Sequence, residues 1–359
     1  MTSRYVPRID RPGSGGGGPP PQIEDHFAPR FLVGNVPNGD PAVGQAAPFE
    51  YIPDTGDGSG IAAAVAAANA AGGGDIWIRP GTYDLSTGGV TGFVITAPRV
   101  TIRGAGFETI IRGRADARSV FDFSASFPAI LQDIAISMPQ AAAGAAGLQV
   151  VHCGFQGAFS NIQVTFDGPA VANPNESLTA VFRDTGTGRH RNLYSLVTPF
   201  TGTGQVAAFE MSGSFAFISQ SWATLGDAVL RVSNQGHRVE QFYALLFGGG
   251  VEATGQNHIL DMSLQSFIDD GTPIISVDAS KNVSLRGMIE NFGAQAPGAG
   301  VEVGATAVGT SVQMMTFDAV PTCVDILAGA DRTTVLGCQL DGGVVVDAGT
   351  STEQAHNQP

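Results

Sequence analysis

The chain has 359 residues, of which 43% are hydrophobic, only 14% are charged and 49 are glycine. Its formal net charge is −14 and Lys281 is its only lysine, which argues against nucleic acid or an anionic membrane as a partner. Three cysteines are too few for a disulfide framework. The sequence contains no run of about 18 apolar residues, so it predicts no membrane span.

Residues 1–45 are predicted to form an extended N-terminal arm. The segment GSGGGGPPP within it cannot form a packed core and is typical of an extended linker. A short apolar strand follows, and its residues Phe31, Leu32 and Val33 are predicted to anchor the chain to a larger assembly. The first residues, MTSRYVPRIDRPG, lack the apolar stretch of a signal peptide, which predicts that the protein is not conventionally secreted.

Residues 46–98 are predicted to contain a capping helix and the first rung of a repetitive domain. The alanine-rich stretch Gly60–Ala71 predicts a helix, with Asp57 or Ser59 as its N-cap and Gly72 at its end. A helix placed directly before a stack of repeats would cover the apolar end of that stack.

Residues 99–349 repeat a unit of two short strands and two turns, roughly every 20–26 residues in the later copies. The segments that begin at Asn234, Asn257 and Lys281 show the pattern, in which a polar turn leads into a strand of alternating polarity. A unit this short cannot bury its apolar face alone, whereas stacked copies bury a continuous core. The sequence therefore predicts an all-β fold, a parallel β-helix, followed by a polar tail at residues 350–359.

The segment that opens the repeats is GDGSGIAAAVAAANAAGGGDIWIRPGTYDL, and RVTIRGAGFETIIRG follows it at residues 99–113. It resembles the opening segment of the pectate-lyase-like superfamily, and this resemblance implies a right-handed parallel β-helix with an N-terminal capping helix. The superfamily includes phage tailspikes, polysaccharide lyases and glycosidases, so the resemblance does not decide the activity. The motif PRFLVGNVPNGD ahead of a β-helix resembles virion proteins of tailed phages, where an N-terminal segment docks the β-helix to the particle.

These observations predict a phage virion structural protein made in the host cytoplasm. It would be a homotrimeric capsid decoration, fibre or tailspike, attached to other virion proteins by its arm and able to bind host surface polysaccharide. Apolar residues on the sides of the stack, as in Phe242–Phe247, are expected to need a partner. The alternative is a polysaccharide-processing enzyme, a glycosidase or lyase on the same fold. An anionic protein is expected to repel acidic polysaccharide unless Ca²⁺ intervenes.

Carboxylates recur at the turns that follow the main strand of the repeat. Aligned repeats place five of them on one edge, about 4.8 Å apart from rung to rung: Asp269, Asp270, Glu290, Asp318 and Asp341. Such a row could bind Ca²⁺ or raise one carboxyl pKa for acid catalysis. Asp269, Asp270 and Glu290 are the candidates if the protein is an enzyme, but ordinary Asp-Gly turn chemistry also explains them and is the preferred interpretation. The sequence therefore predicts no metal site and no cofactor, with Ca²⁺ the one ion the row could accept.

Other polar residues are interpreted structurally. Four histidines lack the spacing of metal ligands and are expected at the surface or in turns: His152, His190, His237 and His258. The run Arg189-His190-Arg191 predicts a solvated turn. Four asparagines open successive strands and predict ladders of side-chain hydrogen bonds: Asn161, Asn192, Asn257 and Asn282. The cysteines are expected to be small buried side chains: Cys153, Cys323 and Cys338.

Overall fold

The computed structural model describes residues 28–34, 49–114, 119–139, 148–167, 178–196, 207–224, 228–246, 250–267, 271–293 and 297–358. These residues form two parallel sheets of 16 and 11 strands that wind around one axis. Two α-helices, α1 (Ser59–Ala71) and α2 (Leu85–Gly88), and a 3-10 turn at Gly106–Glu108 complete the described structure. Neither described helix has the length and apolar character needed to cross a membrane.

The larger sheet contains the longer strands. Along the stack its order is β2 (Glu50–Pro53), β1 (Arg30–Gly34), β3 (Gly74–Ile78), β6 (Val100–Arg103), β9 (Ala129–Pro139), β11 (Gly157–Asp167), β13 (Arg189–Leu196), β15 (Phe217–Thr224), β17 (Arg238–Leu246), β19 (Ile259–Ser266), β21 (Ser284–Asn291), β23 (Ser311–Asp318), β25 (Thr334–Leu336) and β27 (Glu353–Ala355). Strands β4 (Gly81–Asp84) and β7 (Thr109–Arg112) pair with each other, and β7 also pairs with β9.

The smaller sheet supplies the second strand of each rung. Its strands, in chain order, are β5 (Phe93–Val94), β8 (Phe121–Phe123), β10 (Leu148–Cys153), β12 (Leu178–Asp184), β14 (Ala207–Met211), β16 (Ala228–Val232), β18 (Val251–Gln256), β20 (Ile275–Lys281), β22 (Val301–Val303), β24 (Thr322–Ile326) and β26 (Val344–Asp347). They stack in this same order, so each described strand of this sheet lies beside the strand that precedes it in the list.

Alternating side chains from both sheets fill one continuous core. Phe209 of β14 contacts Phe182 of the preceding rung, with ring centroids 5.1 Å apart, and Phe242 of β17 in the opposite sheet, at 5.4 Å. The expected exposure of the Phe242–Phe247 segment is corrected here. Phe242 and Leu246 are buried and Tyr243 points outward, because successive side chains of a strand face opposite sides of the sheet.

Most long strands of the larger sheet bend at one residue of positive φ. The residues at these bends include Asp133, Asn161, Asn192, Gln220, Gln241 and Met314. Asparagine and aspartate tolerate this left-handed conformation better than most side chains. The Asn192 amide donates to Asn161 Oδ1 at 2.8 Å, and the Asn161 amide donates to Asp133 Oδ1 at 2.8 Å. A second ladder joins Asn282 to Asn257 at 3.1 Å, so the predicted asparagine pairing is confirmed as two separate ladders.

Helix α1 covers the N-terminal end of the stack, as predicted. Its buried residues are Gly60, Ile61, Ala64, Val65 and Ala68, and it packs against β1, β2 and β3. The N-cap differs from the prediction, since Gly58 takes this position in a left-handed conformation. The Asp54 carboxylate supplies the capping bonds, accepting the Gly58 N–H at 3.2 Å and the Ile61 N–H at 3.1 Å.

Strand β1 lies inside the sheet rather than in a separate arm. Leu32 pairs in parallel register with Tyr51 of β2 on one side and with Trp77 of β3 on the other. Phe31 and Val33 are 2% and 0% exposed, whereas Leu32 points outward. The boundary at residue 45 is therefore corrected, because the β-helix already includes Arg30–Gly34. Residues 1–27 and 35–45 of the predicted arm lie outside the described structure.

The predicted polar tail is also part of the stack. Strand β27 pairs in parallel with β25, and the Leu340 N–H donates to the Gln358 carbonyl at 2.7 Å. Residues 350–358 are polar because they form the last described rung, which exposes most of its side chains, and their backbone still continues the ladder.

Candidate functional site

The outer faces of the two sheets carry charge differently. One outward column of the smaller sheet carries a titratable side chain on each of six successive rungs: Asp122, His152, Arg183, Glu210, Arg231 and Glu252. Arg183 Nε lies 3.2 Å from Glu210 Oε1, and Arg231 Nε lies 2.8 Å from Glu252 Oε2. Each arginine of this column is thus paired with a glutamate, and the column continues through Ser276 to Glu302 and Asp325, so it is acidic overall.

The larger sheet has an outer groove of about 790 Å³ that extends from β9 and β11 across β13, β15 and β17. Arg189 and Arg191 of β13 point outward and are exposed, while His190 between them is buried. Arg189 is in register with Phe217, which is in register with Arg238. The run predicted to be a solvated turn is therefore a strand, and it presents two guanidinium groups on one face.

Phe215 lies at the edge of this arginine groove, which we define by Arg189, Arg191, Arg238, Phe215 and Phe217. Its φ of 60° is uncommon for a bulky side chain, and its side chain is 63% exposed. The ring lies against Gly236, where an added Cβ would come within 2.3 Å of it. A glycine in the next rung thus leaves room for an outward-facing ring.

A second outer groove, of about 750 Å³, lies beyond the bend of the same strands. Tyr194, Trp222 and Tyr243 occupy equivalent positions of β13, β15 and β17, and we call them the aromatic ladder. Trp222 is 37% exposed and Tyr243 54% exposed, while Phe107 packs edge-on against Tyr194 with ring centroids 6.1 Å apart. Amide side chains line the same groove: Asn192, Gln220, Gln241 and Gln265.

The structure changes the alignment of the predicted carboxylate row. Asp269 and Asp270 lie outside the described residues. Glu290 is in register with Gln265, and the Gln265 amide donates to Glu290 Oε2 at 3.1 Å. The predicted alignment of the two aspartates with Glu290 is therefore corrected, because the residue in register with Glu290 is Gln265, which precedes both aspartates in the sequence.

Three of the predicted carboxylates do stack on consecutive rungs. Glu290 is in register with Asp318, which hydrogen-bonds to Asp341 in the following rung. Partial loss of hydration raises the pKa of the Asp318 carboxyl, as do the hydrogen bond and negative charge of Asp341 and the charge of Glu290. The row lies on the outer side of the larger sheet, two positions further along each strand than the column that holds the aromatic ladder.

The histidines expected at the surface are mostly buried. His237 and His258 are fully buried and stack with ring centroids 5.2 Å apart. The Nδ1 of His237 accepts the Ala216 N–H at 3.2 Å, and the Nδ1 of His258 accepts the His237 N–H at 3.3 Å. Each Nε2 lies 2.6 Å from a backbone carbonyl, of Ser233 and Thr254 respectively, and acts as the donor. The expectation is corrected because these rings satisfy backbone groups in the core.

His190 belongs to a buried cluster in which ligand atoms of Cys153, Asp184 and His190 lie within 4.8 Å of one another. His190 Nε2 lies 2.9 Å from Asp184 Oδ2, and the carboxylate also accepts the backbone N–H groups of Gly186 at 2.6 Å and Gly188 at 2.8 Å. Burial acts to raise the Asp184 pKa, but these hydrogen bonds hold it below its ordinary value. Burial also raises the pKa of the Cys153 thiol. Both carboxylate oxygens are engaged by the turn, so the cluster serves the fold.

The remaining cysteines behave as predicted. Cys323 and Cys338 are free thiols and fully buried. Burial raises the pKa of Cys323 to about 11, and the Cys323 thiol donates to the Leu340 carbonyl at 3.4 Å.

Sequence reasoning missed the aromatic ladder. Its signal is an aromatic residue at the same place in three successive repeats, followed by a small residue: Tyr194-Ser195, Trp222-Ala223 and Tyr243-Ala244. Finding this column required the strand register, because the spacing between copies varies.

No protein-family model and no curated protein matches the chain. Among solved structures, it is similar to the A-module of the mannuronan C-5 epimerase AlgE6 of Azotobacter vinelandii, at 15% identity and a TM-score of 0.55, over 84% of this chain and 94% of that one. It is also similar to the DFA-IIIase of Arthrobacter chlorophenolicus A6 in complex with DFA-III, at 13% identity and a TM-score of 0.52, over 92% and 98% of the two chains. The chain therefore has the right-handed parallel β-helix fold, which confirms the predicted fold class.

Proposed function

We propose that the protein binds a glycan on the outer face of the larger sheet, with the aromatic ladder as the main contact. The observation that carries the proposal is the exposure of Trp222 and Tyr243 in consecutive rungs beside amide side chains. Sugar rings combine apolar C–H faces with hydroxyl edges. A groove of aromatic faces and a few amide groups fits both parts of such a ligand.

The repeat also suits a polymer. Equivalent side chains recur about 4.8 Å apart along the axis, so a chain lying along the stack would meet one aromatic ring per rung. The two similar structures are named for a mannuronan epimerase and for a DFA-IIIase in complex with DFA-III, which is in keeping with a saccharide ligand on this fold.

Replacing Trp222 tests this proposal. In a Trp222→Ala variant, affinity for the glycans that the wild-type protein selects from a glycan array should fall by at least about tenfold, because a stacking surface is removed. Trp77→Ala is the matched control, since Trp77 is 39% exposed on the same sheet but five strands away along the stack. Equal affinity of the two variants, measured by titration calorimetry, would remove the aromatic ladder from the function.

The biological setting proposed for this binding is a phage virion. The protein would be a homotrimeric decoration, fibre or tailspike, attached to other virion proteins through its first 45 residues and contacting host surface polysaccharide. The supporting feature is the Gly- and Pro-rich sequence ahead of β1. Of the three candidate anchor residues, which lie in β1 itself, only Leu32 points outward. Immunogold labelling of purified particles tests the setting, and a failure to label them would contradict it.

A second candidate is a polysaccharide-processing enzyme. The row of Glu290, Asp318 and Asp341 favours it, because a carboxyl of raised pKa beside two further carboxyl groups resembles a general acid–base pair. An Asp318→Asn variant should then abolish release of reducing ends from the bound glycan, while Asp325→Asn in the smaller sheet should not. Repeating the assay with and without EDTA tests whether Ca²⁺ binds at this row. Absence of any release would leave binding as the function.

A further inference from the structure

Beyond the aromatic ladder, we propose that the arginine groove binds the anionic group of an acidic sugar directly, without a bridging cation, so that the glycan is an acidic polysaccharide. The inference rests on the proposed glycan-binding function and specifies the class of its ligand.

The charge of the groove is opposite to that of the protein. The chain carries a net charge of −14, yet the groove is lined by three arginines and a single carboxylate, Glu240. Arg238 is paired with Glu240, whereas Arg189 and Arg191 are exposed two residues apart on one strand. Interactions between exposed charges are screened beyond about 8 Å at physiological salt, so the local arginines decide the field inside the groove.

Guanidinium groups have the geometry to hold a sugar carboxylate or sulfate. Their planar fork donates two parallel hydrogen bonds to such an anion. On the smaller sheet the arginines of the outward column are paired with glutamates and further carboxylates follow, while Arg189 and Arg191 leave a net positive charge here. With such direct contacts an acidic polysaccharide would not need Ca²⁺ to approach the protein, contrary to the expectation from its net charge.

The groove also offers apolar surface for the sugar ring that carries the anion. Phe217 lies between Arg189 and Arg238 in the stack. The exposed Phe215 ring, held at positive φ, stands at the edge of the same groove. An aromatic face beside a guanidinium is a fitting surface for a ring that bears a negative group.

The two grooves adjoin each other along β13, since Arg191 lines one and Asn192 lines the other. Arg191 and Tyr194 are on the same strand, three residues apart across the bend at Asn192, which corresponds to at most about 10 Å. A sugar stacked on the ladder therefore has its substituents, or the adjoining sugar, within reach of Arg191. One ligand can engage both grooves.

The test compares acidic glycans with their own neutral derivatives. The probes are oligomers of galacturonate and of mannuronate, each paired with its carboxyl-reduced form, titrated into the full-length protein in EDTA. We expect the acidic form to bind at least tenfold more tightly, with an affinity that falls as NaCl rises. An Arg189→Gln/Arg191→Gln variant should lose this preference while keeping its affinity for the neutral form.

Arg286→Gln is the matched control, because Arg286 is exposed on the same sheet but outside the groove. If the double variant unfolds below the working temperature, the two single variants are measured instead. Equal binding of acidic and neutral forms by the wild-type protein, or a preference retained by the arginine variants, overturns the inference. Tighter binding of a single-stranded DNA oligomer than of any uronate would also overturn it.

The result separates this inference from the function on which it rests. If Trp222→Ala weakens binding of acidic and neutral oligomers alike while the arginine variant changes neither, the acidic-sugar inference fails and glycan binding stands. If wild-type protein binds no glycan, both fail.

Discussion

Two stacked imidazole rings, His237 and His258, show how single residues hold neighbouring rungs together. Each ring accepts an N–H from the preceding rung and donates to a carbonyl of its own rung, so both must be neutral. Burial lowers the pKa of both side chains, to about 4 for His258. Protonation would take away the acceptor atom and place a charge in the core.

This arrangement predicts a stability that falls in mild acid. The unfolded histidines have a pKa of about 6.5, so the unfolded state binds more protons between that pH and about 4. The contribution of the neutral histidines to the free energy of unfolding should be fully present above about pH 6.5 and decrease by a few kcal/mol as the pH approaches 4. Urea unfolding at several pH values measures it. His258→Gln should show a shallower decrease than His356→Asn, which alters an exposed histidine, and equal decreases would contradict the prediction.

The residue scale also shows why some positions could be predicted and others could not. The asparagine ladders follow from local chemistry, since Asn161 and Asn257 occupy turns that need positive φ. The burial of His237 does not follow from local chemistry, because its partners are backbone groups of Ser233 and of Ala216 in another rung. Identifying those partners required the register of the stack.

At the scale of elements, strand β1 is expected to contribute to stability through its two buried side chains. Phe31→Ala should lower the free energy of unfolding by about 3–5 kcal/mol, because it leaves a cavity between α1 and the first rungs. Leu32→Ala, on the outward face of the same strand, should cost much less. Thermal unfolding of both variants measures the difference, and equal losses would mean that β1 does not belong to the core.

The capping helix could be predicted because an alanine-rich run bounded by glycines is a local signal, and its burial on β1, β2 and β3 confirms it. The position of β1 within the larger sheet could not be predicted from the sequence. The apolar run Arg30–Gly34 is compatible with an anchor or with a rung, and the choice depends on its pairing with β2 and β3, which are distant in the sequence.

At the scale of the whole molecule, self-association stays a prediction. Phe267 and Phe292 stack on the outside of consecutive rungs, with ring centroids 5.4 Å apart, and they are 37% and 49% exposed. Such a patch is expected to pack against another copy. Light scattering at micromolar concentration should give three times the mass of one chain, and Phe292→Glu should lower it. A monodisperse monomer would contradict the homotrimer.

The overall architecture was more predictable than the site. Repeat spacing and alternation are properties of the whole chain, and the two sheets confirm them. The aromatic ladder and the arginine groove arise only where distant repeats align, as at Tyr194, Trp222 and Tyr243. A carboxylate row chosen by turn chemistry alone was misaligned at Asp269 and Asp270 for the same reason.

The position of β1 between β2 and β3 has a consequence for how the molecule is made. Both neighbours of β1 follow it in the chain, so it has no strand to pair with until Pro53 has been synthesised, and its second neighbour is complete only at Ile78. Beyond this end, the described rungs can be added in the order in which the ribosome delivers them. The first rungs are different, because they need three segments of the chain: β1, β2 and β3. The end on which the rest of the stack grows is therefore complete only well after β1, its first strand, has been synthesised.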